Sequence, residues 1–120
     1  MHRIDFDTID STNTYLKNNY EKLENMTFVS ALMQTEGRGR NNRRWLSNRG
    51  DSLMFSLLLK DPVLLDSYRS LSVLAAYCVV RVLERQGIRE LSIKWPNDVY
   101  AGDEKICGIL LEGVSREKLP

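Results

Sequence analysis

The stretch LSIKWPNDVYAGDEKICGILLE, residues 91–112, decides the fold class of this chain. Leu91 to Trp95 alternates apolar and polar side chains and stops at a proline, as a short strand does. Val99-Tyr100 and Lys105 to Glu112 lie on either side of Ala101-Gly102-Asp103-Glu104, a sequence typical of a tight turn. Strands joined this closely pair antiparallel, because parallel neighbours need a crossover of a dozen or more residues. The stretch therefore predicts a strand followed by a β-hairpin.

The segments before this stretch predict two helices and three further strands. Leu65 to Gln86 repeats apolar residues at about a 3.6 period, and Gly87 follows at the position of a left-handed C-cap, which predicts the main core helix. Asp51 to Lys60 alternates as a strand, with Leu53, Phe55, Leu57 and Leu59 on one face and Met54, Ser56, Leu58 and Lys60 on the other. Closer to the N-terminus we predict a strand over residues 2–7, a helix capped by Ser11 or Thr12, and a strand from Thr27 to Gln34.

The order of these elements favours an α+β fold, because clean alternation of strands and helices is absent. We predict a mixed, largely antiparallel sheet with helices on one side. The length of 120 residues and the hydrophobic content of 42% fit one domain or part of one. Since a strand-like pattern runs straight into a charged tail at the end of the sequence, we expect a domain cut short; a small complete domain is the alternative.

The charge balance argues against a general nucleic-acid or membrane-surface binder. Seventeen basic and sixteen acidic side chains give a net charge of +1, without the cationic excess of such proteins. The sequence shows neither a secretory signal nor an apolar run of roughly 20 residues, so a cytoplasmic protein is expected. Cys78 and Cys107 lie among apolar residues without metal-like spacing, which predicts buried free thiols. His2 is the only histidine, and its terminal position argues against a Ser-His or Cys-His triad.

Residues 36–50, EGRGRNNRRWLSNRG, contain three glycines and five arginines and lack an apolar period. Such a segment predicts a mobile loop. Its glycines allow close approach of the backbone to a ligand, and its guanidinium groups suit a phosphate or carboxylate. Because the arginines repel one another, we expect little fixed structure from Gly37 to Arg44 without ligand. A solvated basic loop or an RNA-binding arginine-glycine tract is the alternative.

Two further motifs combine polar groups at the ends of predicted elements. In KWPND, residues 94–98, strand alternation turns Lys94 away from the hydrophobic face, where its ammonium could bridge two anions; an edge-strand lysine beside a turn is the alternative. Residues 10–13, DSTN, combine hydroxyls, an amide and the free N–H groups of a helix start. Such groups suit a urea ring or a carboxylate, although a simple helix cap needs no ligand.

Together these features resemble the biotin protein ligase family, and Lys105-Ile-Cys-Gly-Ile-Leu110 is similar to that family's K-x-x-G-I-L strand. The resemblance runs from about Ile9 to Glu112. It implies the catalytic fold shared by class II aminoacyl-tRNA synthetases and biotin ligases, truncated, with residues 1–120 forming part of one catalytic domain. The later sheet and the small C-terminal β-barrel of family members are not expected in this chain. Neither is an N-terminal helix-turn-helix, so no DNA partner is expected.

The resemblance also implies an activity. Family members activate biotin with ATP to biotinyl-5'-AMP and transfer it to a lysine of a biotin carboxyl carrier protein, or of that domain in a biotin-dependent carboxylase. Mg²⁺ is implied with ATP, and no metal-ligand set is predicted in the chain. We expect this chain to lack full activity and to self-associate through an exposed sheet edge. The alternatives are a relative of lipoate ligases or octanoyl transferases, and a non-catalytic fragment that binds a ligand or RNA.

Site residues follow from the resemblance, position by position. The implied catalytic cations are Lys94 and Arg40. The implied biotin-binding residues are Ser11, Thr12, Asn13, Gln34, Arg38, Gly39, Arg40 and Lys94. The loop over the adenylate would comprise Gly37, Arg38, Gly39, Arg40, Arg43 and Trp45. The nucleotide or metal side would comprise Asn97, Asp98 and Lys105. The chain has Asn42 where the family usually has glycine; asparagine tolerates left-handed backbone angles, although its side chain hinders close approach.

Overall fold

A computed structural model of the chain describes residues 2–40, 43, 44 and 46–114. The elements in chain order are β1 (Arg3–Ile9), α1 (Thr12–Asn19), a 3₁₀ turn (Tyr20–Lys22), β2 (Phe28–Gln34), β3 (Met54–Leu57), α2 (Pro62–Asp66), α3 (Tyr68–Arg85), β4 (Leu91–Lys94), β5 (Asp98–Ala101) and β6 (Glu104–Gly108). They fall into two compact units. Unit 1 takes the described residues of Met1–Pro62 and of Glu112–Pro120, and unit 2 takes Val63–Leu111.

Unit 1 is a three-stranded sheet in the order β1-β2-β3 with α1 packed on β2 and β3. β1 and β2 run parallel, with Ile9 opposite Gln34, whereas β2 and β3 run antiparallel. Since parallel strands end at the same edge of a sheet, Ile9 and Gln34 finish side by side, and α1 begins there. This edge places the start of α1 next to the last side chain of β2.

The start of α1 is fixed by its cap, as the sequence predicts. Ser11 has an extended backbone, and its Oγ accepts a hydrogen bond from the Thr14 N–H at 3.2 Å. Leu16 is buried and anchors the helix to the sheet. At the other end the Asn19 side-chain amide donates to the Tyr15 carbonyl, and the chain tightens into the 3₁₀ turn. The cap matters for the site because it orients Thr12 and Asn13, the first two helical residues.

The alternation predicted for β3 is confirmed, and the face that contains a serine is the buried one. Met54 and Ser56 are buried, while Phe55 and Leu57 on the opposite face are exposed. The Phe55 ring stacks on the Phe28 ring of β2 at a centroid distance of 4.9 Å. A buried hydroxyl needs a hydrogen-bond partner, and Ser56 finds its partners at the start of α1.

Unit 2 is an antiparallel sheet in the order β4-β5-β6 with α3 packed on β4 and β5. Val99 and Ala76 are fully buried. Gly102 in the β5–β6 turn has φ 59°, a conformation that glycine adopts at little cost. The predicted hairpin is therefore confirmed. The described strands also confirm an α+β fold with mixed, largely antiparallel pairing, since only the β1–β2 pair among them is parallel.

The predicted core helix is two helices. Pro62 begins α2, where a proline needs no N–H partner, and Ser67 interrupts the helix before α3 starts at Tyr68. The predicted C-cap is confirmed, because Gly87 has φ 85° and its N–H donates to the Glu84 carbonyl at 3.0 Å. The Ile88 N–H donates to the Leu83 carbonyl, which completes the glycine-dependent stop signal.

The strand predicted to reach Glu112 ends at Gly108. Beyond it, the Ile109 N–H donates to the Asn97 carbonyl at 3.0 Å, and the Asn97 side-chain amide donates to the Ile109 carbonyl at 2.6 Å. Both backbone groups of Ile109 therefore pair with a turn residue. The strand prediction was wrong there because an apolar run does not reveal which partner its backbone finds.

The prediction of buried thiols was also wrong. Cys78 is exposed on α3 and Cys107 is half-buried on β6. Several apolar residues of α3, among them Leu74 and Val82, likewise point outward, so apolar neighbours in the sequence do not ensure burial. Burial, followed by the nearby Asp98 carboxylate, raises the pKa of the Cys107 thiol. None of the described helices combines the length and apolar character needed to cross a membrane.

Candidate functional site

Four polar side chains meet where α1 begins. This polar cluster consists of Thr12 and Asn13 of α1, Gln34 of β2 and Ser56 of β3. Gln34 Oε1 accepts hydrogen bonds from the Thr12 N–H at 2.7 Å and from the Thr12 hydroxyl at 3.0 Å. The hydroxyl oxygens of Thr12 and Ser56 are 2.6 Å apart, and the Ser56 hydroxyl also donates to Asn13 Oδ1. Three elements of unit 1 are thus joined through side chains.

Two donors beside this cluster have no strong acceptor within the described residues. Ser11 is only 3% exposed; its Oγ accepts the Thr14 N–H, and no acceptor for its hydroxyl proton is found among those residues. The Gln34 amide nitrogen contacts only Met54 Sδ, at 3.6 Å. A thioether sulfur is a weak acceptor, so this amide can turn its N–H to a better one. The arrangement suits the carbonyl oxygen of a small polar ring.

A second network adjoins the polar cluster and centres on Glu112. Its Oε1 accepts from the Asn13 amide at 3.1 Å and from Arg38 at 2.5 Å, and its Oε2 lies 3.4 Å from the Lys17 ammonium. Arg38 also donates to Thr14 Oγ1 at 2.6 Å. The loop arginine is therefore held against the first turn of α1 by a carboxylate and a hydroxyl.

The charge of Glu112 is stabilised by these contacts. Partial burial by itself raises the pKa of this carboxyl, but the hydrogen bonds from Arg38 and Asn13 and the charges of Arg38 and Lys17 outweigh that effect. The pKa of Glu112 consequently lies below its ordinary value of 4.5. The side chain is ionised at neutral pH and acts only as a hydrogen-bond acceptor.

The described part of the arginine loop has defined contacts. The Gly39 N–H donates to the Arg43 carbonyl at 2.6 Å, and Arg38 and Arg44 form an isolated antiparallel bridge. Arg44 also donates to the Thr35 carbonyl at 3.1 Å. These contacts describe one arrangement of the loop, and its expected mobility without ligand stays a prediction.

The remaining loop positions divide into three groups. Gly37 is buried, whereas Arg40 and Arg43 are exposed, with the Arg43 N–H donating to the Arg40 carbonyl at 3.2 Å. Arg49 forms an ion pair with Asp7, and its hydrogen bond, together with one from Thr8, lowers the pKa of the Asp7 carboxyl. Asn41, Asn42 and Trp45 lie outside the described residues. Whether the asparagine at position 42 hinders close approach of the backbone to a ligand therefore stays a prediction.

In unit 2 the four residues of the other motifs lie around the β4–β5–β6 sheet. Lys94 is exposed as predicted, and its ammonium lies 5.5 Å from the centre of the Tyr100 ring. Lys105 pairs with Asp98 at 3.1 Å. Asn97 is buried, and its amide bonds to the Ile109 carbonyl described above. The Asn97 side chain therefore stabilises the backbone around Ile109. The charge of Asp98 is balanced by Lys105 of the same sheet.

The structure brings Thr12, Asn13, Gln34 and Arg38 into one hydrogen-bonded network, with Ser11 as its cap. Lys94, Asn97, Asp98 and Lys105 belong to the other unit. Sequence reasoning missed Ser56 and Glu112. A signal existed for Ser56, since a lone serine shared a strand face with Met54 and Leu58. Glu112 offered no signal, because its partners lie 74 to 99 positions away.

Comparison with known proteins places these residues in a family context. Residues 6–120 match the biotin/lipoate A/B protein ligase family. Over 104 residues, 87% of the chain, the sequence is 36% identical to the bifunctional ligase/repressor BirA of Escherichia coli strain K12, of which the match covers 32%. Over 105 residues it is 34% identical to the biotin--[acetyl-CoA-carboxylase] ligase of Paracoccus denitrificans, covering 86% of the chain and 43% of that protein.

Similarity in three dimensions agrees with the sequence matches. The fold is similar to a biotin protein ligase from Aquifex aeolicus in complex with biotin and ATP, with a TM-score of 0.69, 37% identity, and coverage of 96% of this chain and 47% of that one. The chain thus spans about a third of the Escherichia coli relative and about half of the Aquifex structure.

Proposed function

This chain belongs to the biotin/lipoate A/B protein ligase family, and from that premise we propose that it carries the biotin-binding part of a biotin protein ligase. In the first proposed step a biotin carboxylate oxygen attacks the α-phosphorus of ATP, and the α–β phosphoanhydride bond breaks to release pyrophosphate. In the second, the amine of a carrier lysine attacks the acyl carbon, an amide forms and AMP leaves. The structure of unit 1 supports the binding half of this proposal.

The observation that carries the proposal is the polar cluster with its two available donors. The ureido ring of biotin presents a carbonyl oxygen, which the Ser11 hydroxyl and the Gln34 amide can bond. Ser11 is buried and Gln34 is half-buried, and hydrogen bonds in such a setting discriminate because an unpaired group stays partly desolvated. A dithiolane ring or an alkyl chain has no carbonyl to offer them. The cluster therefore favours biotin over the lipoyl and octanoyl substrates of related enzymes.

The acyl end of the ligand needs cations, since the first step joins two anions. Thr14 and Glu112 use two of the five N–H donors of Arg38, and the planar guanidinium retains others for a carboxylate or phosphate. We assign Arg38 to the ligand's carboxylate and phosphoryl region. Arg40 and Lys94 are the proposed cations that stabilise charge in the transition state, a role that in other enzymes contributes roughly 3 to 4 kcal/mol per donor. For these two residues the support is the sequence motif.

Residues proposed for the nucleotide side differ in what supports them. Gly37, Gly39 and Arg43 belong to the loop proposed to cover the adenylate, and Asp98 and Lys105 balance each other's charge in unit 2. Within the described residues no group of three or more His, Cys, Asp or Glu side chains is arranged to hold a metal ion. Mg²⁺ is proposed as the ion that accompanies ATP, and no step is assigned to it.

Calorimetric titration of the 120-residue chain with biotin, lipoate and octanoate tests the binding half. We expect biotin to bind and the other two acids to bind more weakly. Replacing Gln34 by leucine should weaken biotin binding by roughly tenfold, because a half-buried donor is lost. Gln86→Leu, at the exposed C-cap of α3, is the matched control and should bind biotin normally. Equal affinity for all three acids would overturn the assignment to biotin.

Turnover is a separate measurement. Biotin-dependent release of pyrophosphate tests adenylation, and labelling of a biotin carboxyl carrier domain tests transfer. We expect binding to persist in this chain even if its turnover is lower than that of a full-length ligase. If the chain bound RNA about as tightly as biotin, and if biotin displaced the RNA, a non-catalytic binding protein would be favoured instead.

A further inference from the structure

Tyr100 of β5 contacts Lys94, yet neither the sequence motifs nor the proposed function gives it a role. The register of β4 and β5 sets Lys94 opposite Asp98 and Ser92 opposite Tyr100, so Tyr100 is the diagonal neighbour of Lys94 on the same face of the sheet. Diagonal neighbours lie about 7 to 8 Å apart, within reach of a long side chain and an aromatic ring. The Lys94 ammonium accordingly lies 5.5 Å from the centre of the Tyr100 ring. The contact follows from the pairing of the two strands.

The face of the sheet that contains Lys94 and Tyr100 is not the face that packs on α3. Ile93 and Val99, which are paired across β4 and β5, lie on the opposite face. Val99 is fully buried, and Ile93 lines a cavity together with Leu74 of α3. Lys94, in contrast, is exposed and Tyr100 is half-buried. A change of the Tyr100 side chain therefore leaves the packing of the sheet on the helix in place.

The carboxylate directly opposite Lys94 already has a partner. Asp98 forms an ion pair with Lys105 of β6 at 3.1 Å, and within the described residues no ion pair joins Asp98 to Lys94. Opposite charges that face each other across two strands attract each other, yet the Lys94 ammonium lies over the Tyr100 ring. The charge of Lys94 is therefore not cancelled by the carboxylate opposite it.

A ring and a carboxylate affect a cation differently. A carboxylate cancels the charge of an ammonium, whereas an aromatic ring attracts the ammonium through its quadrupole and carries no net charge. The ammonium over the Tyr100 ring keeps its charge and those of its N–H donors that do not face the ring. Fixing a flexible lysine side chain costs rotamer entropy, and a ring that restricts the side chain before a ligand binds lowers that cost. Lys94 is thus restrained and still available to an anion.

We propose that Tyr100 is a positioning residue for Lys94: its ring restrains the ammonium and leaves the charge available to the carboxylate and phosphoryl groups of the ligand. The contact itself does not depend on the proposed function, whereas its effect on catalysis rests on the role proposed there for Lys94. Tyr100 touches no reacting atom in this role. The ring makes the contact, and no hydrogen bond of the Tyr100 hydroxyl is found within the part of the chain that the structure describes. Phenylalanine should therefore replace Tyr100, and leucine should not.

Proton NMR of the ligand-free chain tests the contact. Protons above an aromatic ring are shifted upfield, so the ε-methylene signals of Lys94, assigned by their loss in Lys94→Ala, should move downfield in Tyr100→Leu and keep their position in Tyr100→Phe. Tyr68→Leu, at an exposed tyrosine of α3, is the matched control and should leave these signals unchanged. Lys94 signals at the same position in Tyr100→Leu and in the unsubstituted chain would overturn the proposal.

Biotin-dependent pyrophosphate release, in a chain long enough to show turnover, tests the consequence for catalysis. Tyr100→Leu should lower kcat by about two- to fivefold, the range expected for one exposed cation–π contact, and should leave the KM for biotin unchanged. Tyr100→Phe should retain kcat. In a Lys94→Ala protein, the additional change Tyr100→Leu should cost nothing further, because the side chain that Tyr100 positions is gone.

The outcomes separate the positioning role from the proposed function. Equal losses of kcat in Tyr100→Phe and Tyr100→Leu would overturn the role of the ring, and so would a Tyr100→Leu loss that is as large without Lys94 as with it. Normal turnover in Lys94→Ala would overturn the role proposed for Lys94 and the positioning role with it. The NMR shift needs no ligand, so it shows whether the contact failed or the proposed function did.

Discussion

The hydroxyl oxygens of Thr12 and Ser56 lie 2.6 Å apart, although 44 positions of the chain separate the two residues. The contact joins the first residue of α1 to the inner face of β3. Both hydroxyls are buried, and each has one further partner, Gln34 Oε1 for Thr12 and Asn13 Oδ1 for Ser56, so all four side chains satisfy one another without water. The relationship makes one serine in an otherwise apolar strand part of both the fold and the candidate site.

Replacement of Ser56 by alanine should therefore reduce stability and ligand binding together. Removing the hydroxyl takes one hydrogen bond from Thr12 Oγ1 and one from Asn13 Oδ1, and the loss of buried hydrogen bonds costs about 1 to 3 kcal/mol in other proteins. Urea unfolding measures the loss, and titration with biotin measures the effect on the site. Ser52→Ala removes an exposed serine whose hydroxyl accepts from Ser47, and it should change neither. A Ser56→Ala variant with unchanged unfolding and binding would contradict the importance given to this contact.

Two glycines should respond differently to alanine. Gly39 has room for a Cβ, whose nearest neighbours would lie 3.7 and 3.8 Å away on Arg43, so Gly39→Ala should not lower stability. If the loop backbone approaches the adenylate, the same change should weaken ligand binding and slow adenylation. Gly87 has φ 85°, and Gly87→Ala should lower the free energy of unfolding by about 1 to 2 kcal/mol without altering binding. Thermal unfolding together with titration separates the two outcomes, and a Gly39→Ala protein that binds normally would contradict the proposed approach.

Lys94→Ala should keep the fold and lose adenylation. The ammonium lies over the Tyr100 ring at an exposed position, where such a contact contributes about 0.5 to 1 kcal/mol. Loss of a transition-state cation should lower biotin-dependent pyrophosphate release by roughly 100-fold or more. The measurement is best made in a chain long enough to show turnover. Lys22→Ala, an exposed lysine of unit 1, is the control, and normal turnover in Lys94→Ala would remove Lys94 from the mechanism.

Stability should fall in acid through Glu112. Because its folded-state pKa lies below the ordinary value of 4.5, the folded protein binds fewer protons than the unfolded chain near that pH. The stabilisation is present above about pH 4.5 and is lost as the pH falls through the folded pKa. Urea unfolding of the unsubstituted chain and of Glu112→Gln should differ at neutral pH and converge in acid. Asp5 and Asp7 also have lowered pKa values, but they occur in both proteins and cancel in the comparison. A difference that persists below the folded pKa would exclude the Glu112 charge as its source.

The apolar face of β3 should promote self-association. Phe55 and Leu57 are exposed there, and the neighbouring Leu53 is 77% exposed. Exposed apolar patches and unpaired strand edges recruit partners, so light scattering should show a mass that rises with concentration. Leu53→Lys should reduce that rise, whereas Val63→Lys, at an equally exposed position on α2, should not. A strictly monomeric chain at all concentrations would contradict this prediction.

Local chemistry explains what the sequence predicted correctly. Ser11 as a cap, Gly87 as a stop signal and the turn at Gly102 each depend on a few neighbouring residues, so their patterns are legible in the sequence. The family motifs name Thr12, Asn13, Gln34 and Arg38, which the structure joins in one hydrogen-bonded network, and the ligand-binding roles of these residues stay predictions. The α+β fold followed from the order of the elements and the short connections between the last strands.

Long-range partners explain what the sequence did not predict. The Ile109 backbone pairs with Asn97, Arg38 pairs with Glu112, and Ser56 pairs with Thr12. In each case a local pattern was compatible with several partners, and packing selected one of them. The extended final strand was wrong for this reason.

The distance along the chain between Glu112 and its partners also has a consequence during protein synthesis. Arg38 precedes its carboxylate by 74 positions and Asn13 by 99. At roughly 5 to 20 residues per second, a ribosome adds Glu112 about 4 to 15 s after Arg38, whereas helices and hairpins form within microseconds. Thr12, Gln34 and Ser56 are all synthesised long before Glu112. We therefore expect a nascent chain to assemble the polar cluster first and to hold Arg38 against α1 only after Glu112 has been added.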